Sequence, residues 1–264
     1  MTASFAAAPI EGDLIARREG ACGVIRLNRP KAINAVTLEM LRDIDKALDA
    51  FASDPAVAVI LLEGAGERGL CAGGDIRALW ESSKVQGDLG KILWREEYIL
   101  NARIAKLPKP YVAFMDGIVM GGGVGLSAHA SHRIVTEKTK LAMPEVSLGF
   151  FPDVGGTWLL AHSPGEIGSY FGLTGTTMNG PDAIHACFAD AVLVQETGVN
   201  TKSLLSVRCG EKPVHFWSTS RLLINVIHNC VSIFDVQPNC CVSRRNFANL
   251  CAVVKCGGLF ATGD

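Results

Sequence analysis

The chain has 264 residues with a net charge of −1, and 48% of them are hydrophobic against 19% charged. This balance is typical of a globular domain, because a disordered chain has fewer apolar residues and a larger net charge. It excludes a broadly basic nucleic-acid-binding surface, and no uncharged apolar run reaches the about 18 residues needed to span a membrane. Residues 1–11 have no basic start followed by an apolar stretch, so no clear targeting segment is predicted.

The first part of the chain is predicted to alternate strands with a helix. Residues 14–18 and 23–28 have the alternating pattern of a short hairpin. From Thr37, a favourable N-cap, apolar residues recur at helical spacing as far as Asp54. Residues 57–62 form a continuous apolar run of strand length. This order predicts an α/β fold in which helices pack on a sheet.

Further elements follow at glycine-rich turns. Residues 92–107 have a second helical pattern, and 111–115 and 133–136 are predicted strands. The glycines of 121–125 are expected to lead from a strand into a small-residue helix that ends near His129.

Two more helix starts are predicted near the end of this region. Residues 163–166, Ser-Pro-Gly-Glu, match a capping box with proline at the first helical position, and Gly175 would end that helix. Residues 179–182, Asn-Gly-Pro-Asp, would start another helix. No period of 20–50 residues recurs along the chain, which argues against a solenoid.

Several patterns have a chemical interpretation that we set against a simpler one. Residues 64–69 match the dinucleotide-binding glycine fingerprint, but a loop rather than a helix is expected after them. Cys71 would need a basic partner to act as a nucleophile, so a small buried cysteine is favoured. His129 and His132, which would share a helix face, have no further ligand at a recognisable spacing, nor do the cysteines after residue 194, so no metal site is predicted.

Two glycine-rich turns are candidates for substrate contact. Cys-Ala-Gly-Gly-Asp at 71–75 and Gly-Gly-Gly-Val-Gly at 121–125 each lie between a predicted strand and a helix. Glycine at such places lets other chain segments approach closely and leaves backbone amides accessible. Two amides aimed at one oxygen would stabilise an oxyanion. The alternative, that small residues only permit close helix–strand packing, remains equally open from the residues alone.

Two carboxylates lie in the apolar stretch that follows. Glu145 and Asp153 each come directly after a proline and are eight residues apart. A carboxylate in apolar surroundings is costly unless it is paired or used, so both are candidates for acid–base or nucleophilic chemistry. The alternative is that one caps a helix and the other is solvated.

In this order, the motifs resemble those of the crotonase (enoyl-CoA hydratase/isomerase) superfamily, and more closely its 3-hydroxyisobutyryl-CoA hydrolase branch. The resemblance covers roughly residues 10–194, and Phe-Pro-Asp-Val-Gly-Gly at 151–156 is its strongest hydrolase marker. Its other segments are 28–35, 71–75, 96–98, 109–113 and 115–125. It implies a crotonase-like superhelix of repeated ββα units, with an atypical or truncated C-terminal part.

The resemblance also implies a role for each candidate residue. The thioester carbonyl oxygen would lie between the amides of Gly74 and Gly122. Glu145 would be the main catalytic carboxylate, acting on water or on the carbonyl, and as an unperturbed glutamate it would be ionised near neutral pH. Asp153 would orient water or hold the substrate's 3-hydroxyl, and Glu97 matches a further substrate-contacting position.

The implied function is hydrolysis of a short-chain 3-hydroxyacyl-CoA thioester, with 3-hydroxyisobutyryl-CoA of valine catabolism as the expected substrate. Hydratases of the superfamily carry a second catalytic glutamate where this chain has Gly125. Losing one of two acid–base groups would cost about 10²–10⁴ in rate, so hydration or isomerisation is the alternative. The resemblance implies no metal or separate cofactor, because CoA is part of the substrate. The expected partner is an acyl-CoA, with possible homo-oligomers and neither nucleic acid nor membrane.

Residues 195–264 differ in composition from those before them. They hold six of the nine cysteines but five of the 28 glycines, and the family pattern ends near Leu193. We therefore expect a catalytic core at 1–194 and a poorly ordered, cysteine-rich tail from an altered transcript, which would weaken any oligomer. An inactive crotonase-like isoform is a further alternative. By resemblance, the compartment would be mitochondrial in a eukaryote and cytoplasmic in a bacterium.

Overall fold

The structure, a computed structural model, describes residues 9–193 and the backbone of the segments 204–209 and 212–217. The strands are β1 (Leu14–Glu19), β2 (Cys22–Leu27), β3 (Val59–Gly64), β4 (Tyr111–Met115), β5 (Ile118–Met120), β6 (His132–Thr136), β7 (Lys140–Ala142), β8 (Ala191–Leu193), β9 (Leu204–Cys209) and β10 (Lys212–Trp217). The α-helices are α1 (Leu38–Ser53), α2 (Ile76–Lys84), α3 (Leu89–Ile104), α4 (Gly122–Ser127), α5 (Gly156–Ala161), α6 (Ile167–Thr174) and α7 (Gly180–His185).

The main sheet has six strands in the spatial order β1-β2-β3-β4-β6-β8. Strands β1 and β2 pair antiparallel, as the alternating hairpin pattern predicts, and the other neighbours in this sheet are parallel. Helix α1 begins after Thr37, whose side chain accepts a hydrogen bond from the backbone amide of Met40, and it ends before Asp54. The predicted α/β fold is therefore confirmed.

A second, smaller sheet lies at the glycine-rich turns. Strands β5 and β7 pair in parallel, and Cys71 forms an isolated bridge to Val119 of β5. The chain thus runs as β1-β2-α1 and again as β4-β5-α4, which confirms the repeated ββα order implied by the resemblance. The sequence did not predict β5, because three apolar residues directly before a glycine run do not distinguish a strand from an entry into the helix.

Both faces of the main sheet are apolar. Ile60 and Leu62 of β3 face a large core that includes the buried sides of α1 and α3. Val59 and Leu61, which point the other way, belong to a smaller cluster of strand residues. A parallel strand covered on both faces appears in the sequence as an uninterrupted apolar run, which explains residues 57–62.

The predicted capping box at residues 163–166 is wrong. Helix α6 begins at Ile167, and its N-cap, Glu166, makes no capping hydrogen bond through its side chain. The Ser163 hydroxyl is buried and donates instead to the carbonyl oxygen of Ala186, 2.8 Å away. This long-range contact outweighs the local pattern. The predicted helix end is confirmed, since Gly175 adopts the left-handed conformation, φ 64°, that favours glycine.

The second predicted helix start is correct. Asn179 and Asp182 form a reciprocal capping box at the beginning of α7. By contrast, His129 and His132 do not share a helix face, because α4 ends at Ser127 and His132 is the first residue of β6.

Most of the predicted tail, and with it the expected poor order and altered-transcript origin of residues 195–264, lies outside the described residues. Within it, β9 and β10 pair antiparallel. Among the helices that the structure describes, none combines the length and apolar character that a membrane crossing requires.

Candidate active site

The two glycine-rich turns meet in space. The backbone amide of Cys71 donates to the carbonyl of Ile118, and the amide of Met120 donates to the carbonyl of Cys71, at 3.0 and 2.9 Å. These bonds hold the turn at 71–75 against the start of α4. A Cβ atom added at Gly122 would lie 3.4 Å from the amide nitrogen of Gly74. The two amides that the resemblance pairs are therefore neighbours.

The glycines of these turns do not all serve the same purpose. A Cβ atom at Gly123 would lie 2.6 Å from the carbonyl oxygen of Cys71, so glycine is needed there for close packing. A Cβ atom at Gly74 would meet none of the described residues within 4 Å. Packing therefore explains Gly123, whereas no packing contact among the described residues requires glycine at position 74.

Glu145 lies in a short 3-10 helix, Pro144–Leu148, and is 7% exposed. Its Oε2 atom has no hydrogen-bond partner among the described residues, and its Oε1 atom would lie 2.9 Å from a Cβ atom at Gly121. Burial raises the pKa of Glu145 to about 7; the charge of Asp153 adds to the rise, and its own backbone amide opposes it. The expectation of an unperturbed glutamate is thus wrong, because the sequence does not reveal how deeply the carboxyl group is buried.

Glu97 projects from α3 toward the same turn. It is 3% exposed, and its Oε1 atom, which has no hydrogen-bond partner in the described structure, would lie 2.5 Å from a Cβ atom at Gly122. Burial raises its pKa to about 8, and the charges of Asp153 and Glu145 add to the effect. At neutral pH Glu97 is therefore mainly protonated and able to donate a hydrogen bond.

Asp153 completes the group of carboxyls. The hydroxyl of Tyr98 donates to its Oδ2 atom over 2.8 Å. Burial raises the pKa of Asp153, and the hydrogen bond from Tyr98 partly offsets that rise. Glu145 is buried and so is not the solvated carboxylate of the alternative interpretation, whereas Asp153 is only partly buried. Sequence reasoning missed the role of Tyr98, because nothing in a sequence links two residues 55 positions apart.

The turn after Asp153 contains a strained residue, Val154, whose carbonyl group is contacted by His129. Val154 has φ 46°, a left-handed conformation that is rare for a β-branched residue, and it is 2% exposed. The Nε2 atom of His129 lies 2.7 Å from the carbonyl oxygen of Val154. Strain of this kind persists only where the surroundings impose it, and it is common at functional sites.

Cys71 is fully buried, and burial raises the pKa of its thiol to about 12. A thiol with such a pKa is not a nucleophile at neutral pH. The simpler interpretation of Cys71 is therefore confirmed. Among the described residues, no cluster of three or more His, Cys, Asp or Glu side chains is arranged to hold a metal ion.

Replacing Glu97 with glutamine is expected to stabilise the fold at alkaline pH. Between the unfolded pKa of about 4.3 and the folded pKa of about 8, the folded parent keeps a proton that the unfolded chain has lost. The parent's stability therefore falls as pH rises through this window, whereas glutamine does not titrate. We expect a gain of about 1–3 kcal/mol at pH 8 and little change at pH 4.5, measured by urea unfolding. Glu96→Gln, which breaks an exposed ion pair with Arg42, is the control; a gain for Glu96→Gln equal to that for Glu97→Gln would contradict the assignment.

The chain is similar to curated hydrolases over about two thirds of its length. Mitochondrial 3-hydroxyisobutyryl-CoA hydrolases of Mus musculus and Homo sapiens are 48% and 45% identical to the chain over 177 residues. Each match covers 67% of this chain and 46% of the relative, so the chain spans about half the length of the curated relatives it matches.

Solved structures match over a similar share of the chain. A carnitinyl-CoA dehydratase from Mycobacterium thermoresistibile has a TM-score of 0.68 and 51% identity, covering 70% of this chain and 54% of that chain. An enoyl-CoA hydratase from Rhodobacter sphaeroides 2.4.1 has a TM-score of 0.67 and 48% identity, covering 69% and 55%. The enoyl-CoA hydratase/isomerase family model matches residues 22–212, most of the chain. The chain therefore belongs to the enoyl-CoA hydratase/isomerase family.

Proposed function

We propose that this site hydrolyses a short-chain 3-hydroxyacyl-CoA thioester, with 3-hydroxyisobutyryl-CoA as the substrate. The observation that carries the proposal is Glu145, a buried carboxyl with a pKa of about 7 beside the two neighbouring glycine turns. A general base is most effective when its pKa lies near the working pH. The curated relatives named 3-hydroxyisobutyryl-CoA hydrolase support the choice of substrate.

In the proposed reaction the amides of Gly74 and Gly122 hydrogen-bond the thioester oxygen and stabilise its negative charge as the carbonyl is attacked. Ionised Glu145 either removes a proton from the attacking water or attacks the carbonyl itself, and water then cleaves the resulting anhydride. Asp153 orients the water, and protonated Glu97 donates a hydrogen bond to the substrate. The carbon–sulfur bond breaks, a proton passes to the sulfur, and the products are the free acid and CoA.

Hydration is the second candidate, because the similar solved structures include an enoyl-CoA hydratase and a carnitinyl-CoA dehydratase. The position of the second hydratase glutamate is Gly125. A Cβ atom there would lie 2.7 Å from the Cβ atom of Val154 and 2.8 Å from the Nδ2 atom of Asn101. Because Val154 is stiff and buried, the site has no room for a glutamate, and this favours hydrolysis.

The proposal is tested by following release of the CoA thiol from 3-hydroxyisobutyryl-CoA. Glu145 must lose its proton to act, so we expect kcat/KM to rise with pH through about 7 and to fall about tenfold per pH unit below that value. Crotonyl-CoA, followed by loss of its enoyl absorbance, is the comparison substrate. If the chain hydrated crotonyl-CoA faster than it hydrolysed 3-hydroxyisobutyryl-CoA, the proposal would be contradicted. Tight binding of the substrate without turnover would instead favour an inactive isoform.

No metal or separate cofactor takes part, because the two amides and the carboxyls supply the polarisation and the base. The working partner is an acyl-CoA, with a possible homo-oligomer. The compartment is the mitochondrion in a eukaryote, as the names of the curated relatives indicate, or the cytoplasm in a bacterium.

A further inference from the structure

Asn101 is a buried polar residue to which the proposed reaction gives no role. It lies on α3, is 4% exposed, and neither its Oδ1 nor its Nδ2 atom has a hydrogen-bond partner among the described residues. A buried amide left without partners costs about 1–3 kcal/mol for each unsatisfied group. Such a cost is expected where a ligand supplies the missing partners.

The position of Asn101 places it at the border of the candidate active site. It follows Glu97 by one helical turn, so both side chains project from the same side of α3. The Glu97 carboxyl lies against Gly122, and the Asn101 amide lies against Gly125, three residues further along α4. Its Nδ2 and Oδ1 atoms would be 2.8 and 3.1 Å from a Cβ atom at Gly125. Two polar side chains of α3 therefore lie against α4, the Glu97 carboxyl at Gly122 and the Asn101 amide at Gly125.

The Asn101 amide and Val154 contact the same position at Gly125. Val154, which directly follows Asp153, would lie 2.7 Å from the same Cβ atom at Gly125. Asp153 already accepts a hydrogen bond from Tyr98 at one of its two carboxyl oxygens. Among the described residues, Asn101 has both a donor and an acceptor without a partner.

We propose that Asn101 is a specificity-determining residue whose amide binds the hydroxyl group of the 3-hydroxyacyl substrate. A hydroxyl group both donates and accepts, so one hydroxyl satisfies Oδ1 and Nδ2 together. An acyl group without the hydroxyl leaves both atoms unpaired, and a site built to hydrogen-bond a hydroxyl discriminates strongly against the analogue that lacks it. Asp153 then remains available to orient water. The inference rests on the proposed function, because it concerns the acyl group of the same substrate.

The test measures binding rather than turnover. The probes are two non-hydrolysable CoA analogues in which a methylene group replaces the thioester sulfur, one carrying the 3-hydroxyisobutyryl group and one the isobutyryl group. Isothermal titration calorimetry gives the ratio of their dissociation constants for the full chain. We expect the parent to bind the hydroxy analogue about tenfold more tightly, which corresponds to about 1.4 kcal/mol. Asn101→Leu is expected to reduce this ratio to about 1, chiefly by weakening binding of the hydroxy analogue.

Both dissociation constants come from one preparation, so partial misfolding of a variant does not change their ratio. Asn101→Ala is the second variant if Asn101→Leu does not fold, and Leu100→Val, a change in the buried core of α3, is the control that keeps the parent's ratio. An unchanged ratio in both Asn101 variants would overturn the inference while leaving the proposed function intact. A parent chain that binds neither analogue would overturn both.

Discussion

Replacing Glu145 with glutamine is expected to lower kcat for thioester hydrolysis by about 10²–10⁴-fold. Glutamine keeps the size and polarity of the side chain but neither removes a proton nor attacks a carbonyl. The variant also loses the rise in rate through pH 7, because the group responsible for it, with a pKa of about 7, is gone. Release of free CoA thiol from 3-hydroxyisobutyryl-CoA, followed from pH 5 to pH 9, measures both effects.

The matched control for Glu145→Gln is Glu96→Gln. The Glu96 carboxyl forms an exposed ion pair with Arg42 on the outer side of α3, and its pKa is lowered by the hydrogen bond from Arg42. The control should therefore retain the parent's rate and pH profile. Parental hydrolysis by Glu145→Gln would show that another group carries the reaction.

Replacing Gly122 with alanine is expected to lower kcat by about 10²–10³-fold, the typical effect of losing one oxyanion donor. The added Cβ atom would lie 2.5 Å from the Oε1 atom of Glu97 and 3.4 Å from the amide nitrogen of Gly74. It therefore displaces the Glu97 carboxyl and narrows the space between the two amides. Binding of the CoA portion does not depend on the thioester oxygen. KM should therefore change much less than kcat. Steady-state kinetics with 3-hydroxyisobutyryl-CoA separates the two constants.

Gly90→Ala provides the comparison for Gly122→Ala. Gly90 lies in the first turn of α3, and its added Cβ atom would have its nearest contact at 3.4 Å, from Trp94, which is ordinary packing. Alanine there should leave kcat unchanged and stabilise the helix by up to about 1 kcal/mol. If Gly122→Ala raised KM and lowered kcat by equal factors, the amide of Gly122 would not be a specific partner of the reacting oxygen.

Local residue patterns were sufficient to predict most of the helices and strands before residue 190. The alternation at residues 14–28 and the Thr37 cap predicted the hairpin and α1, because these structures depend on neighbours along the chain. The capping box at residues 163–166 failed for the opposite reason. The Ser163 hydroxyl donates to the carbonyl oxygen of Ala186. A local sequence pattern does not reveal a contact that forms only when the chain folds. Strand β5 was missed because its partner, β7, lies elsewhere in the sequence.

The candidate active site shows the same division between what local sequence predicts and what tertiary contacts decide. The sequence by itself identified which carboxylates and glycines are candidates, because Glu145, Asp153 and the two glycine-rich turns have unusual neighbours along the chain. The tertiary structure alone decided their chemical state. Burial raises the pKa of Glu145 to about 7 and that of Glu97 to about 8, and the charges that add to the Glu97 shift, on Asp153 and Glu145, come from distant parts of the chain. Desolvation and charge repulsion depend on distances in space, so residue types and spacings do not predict them.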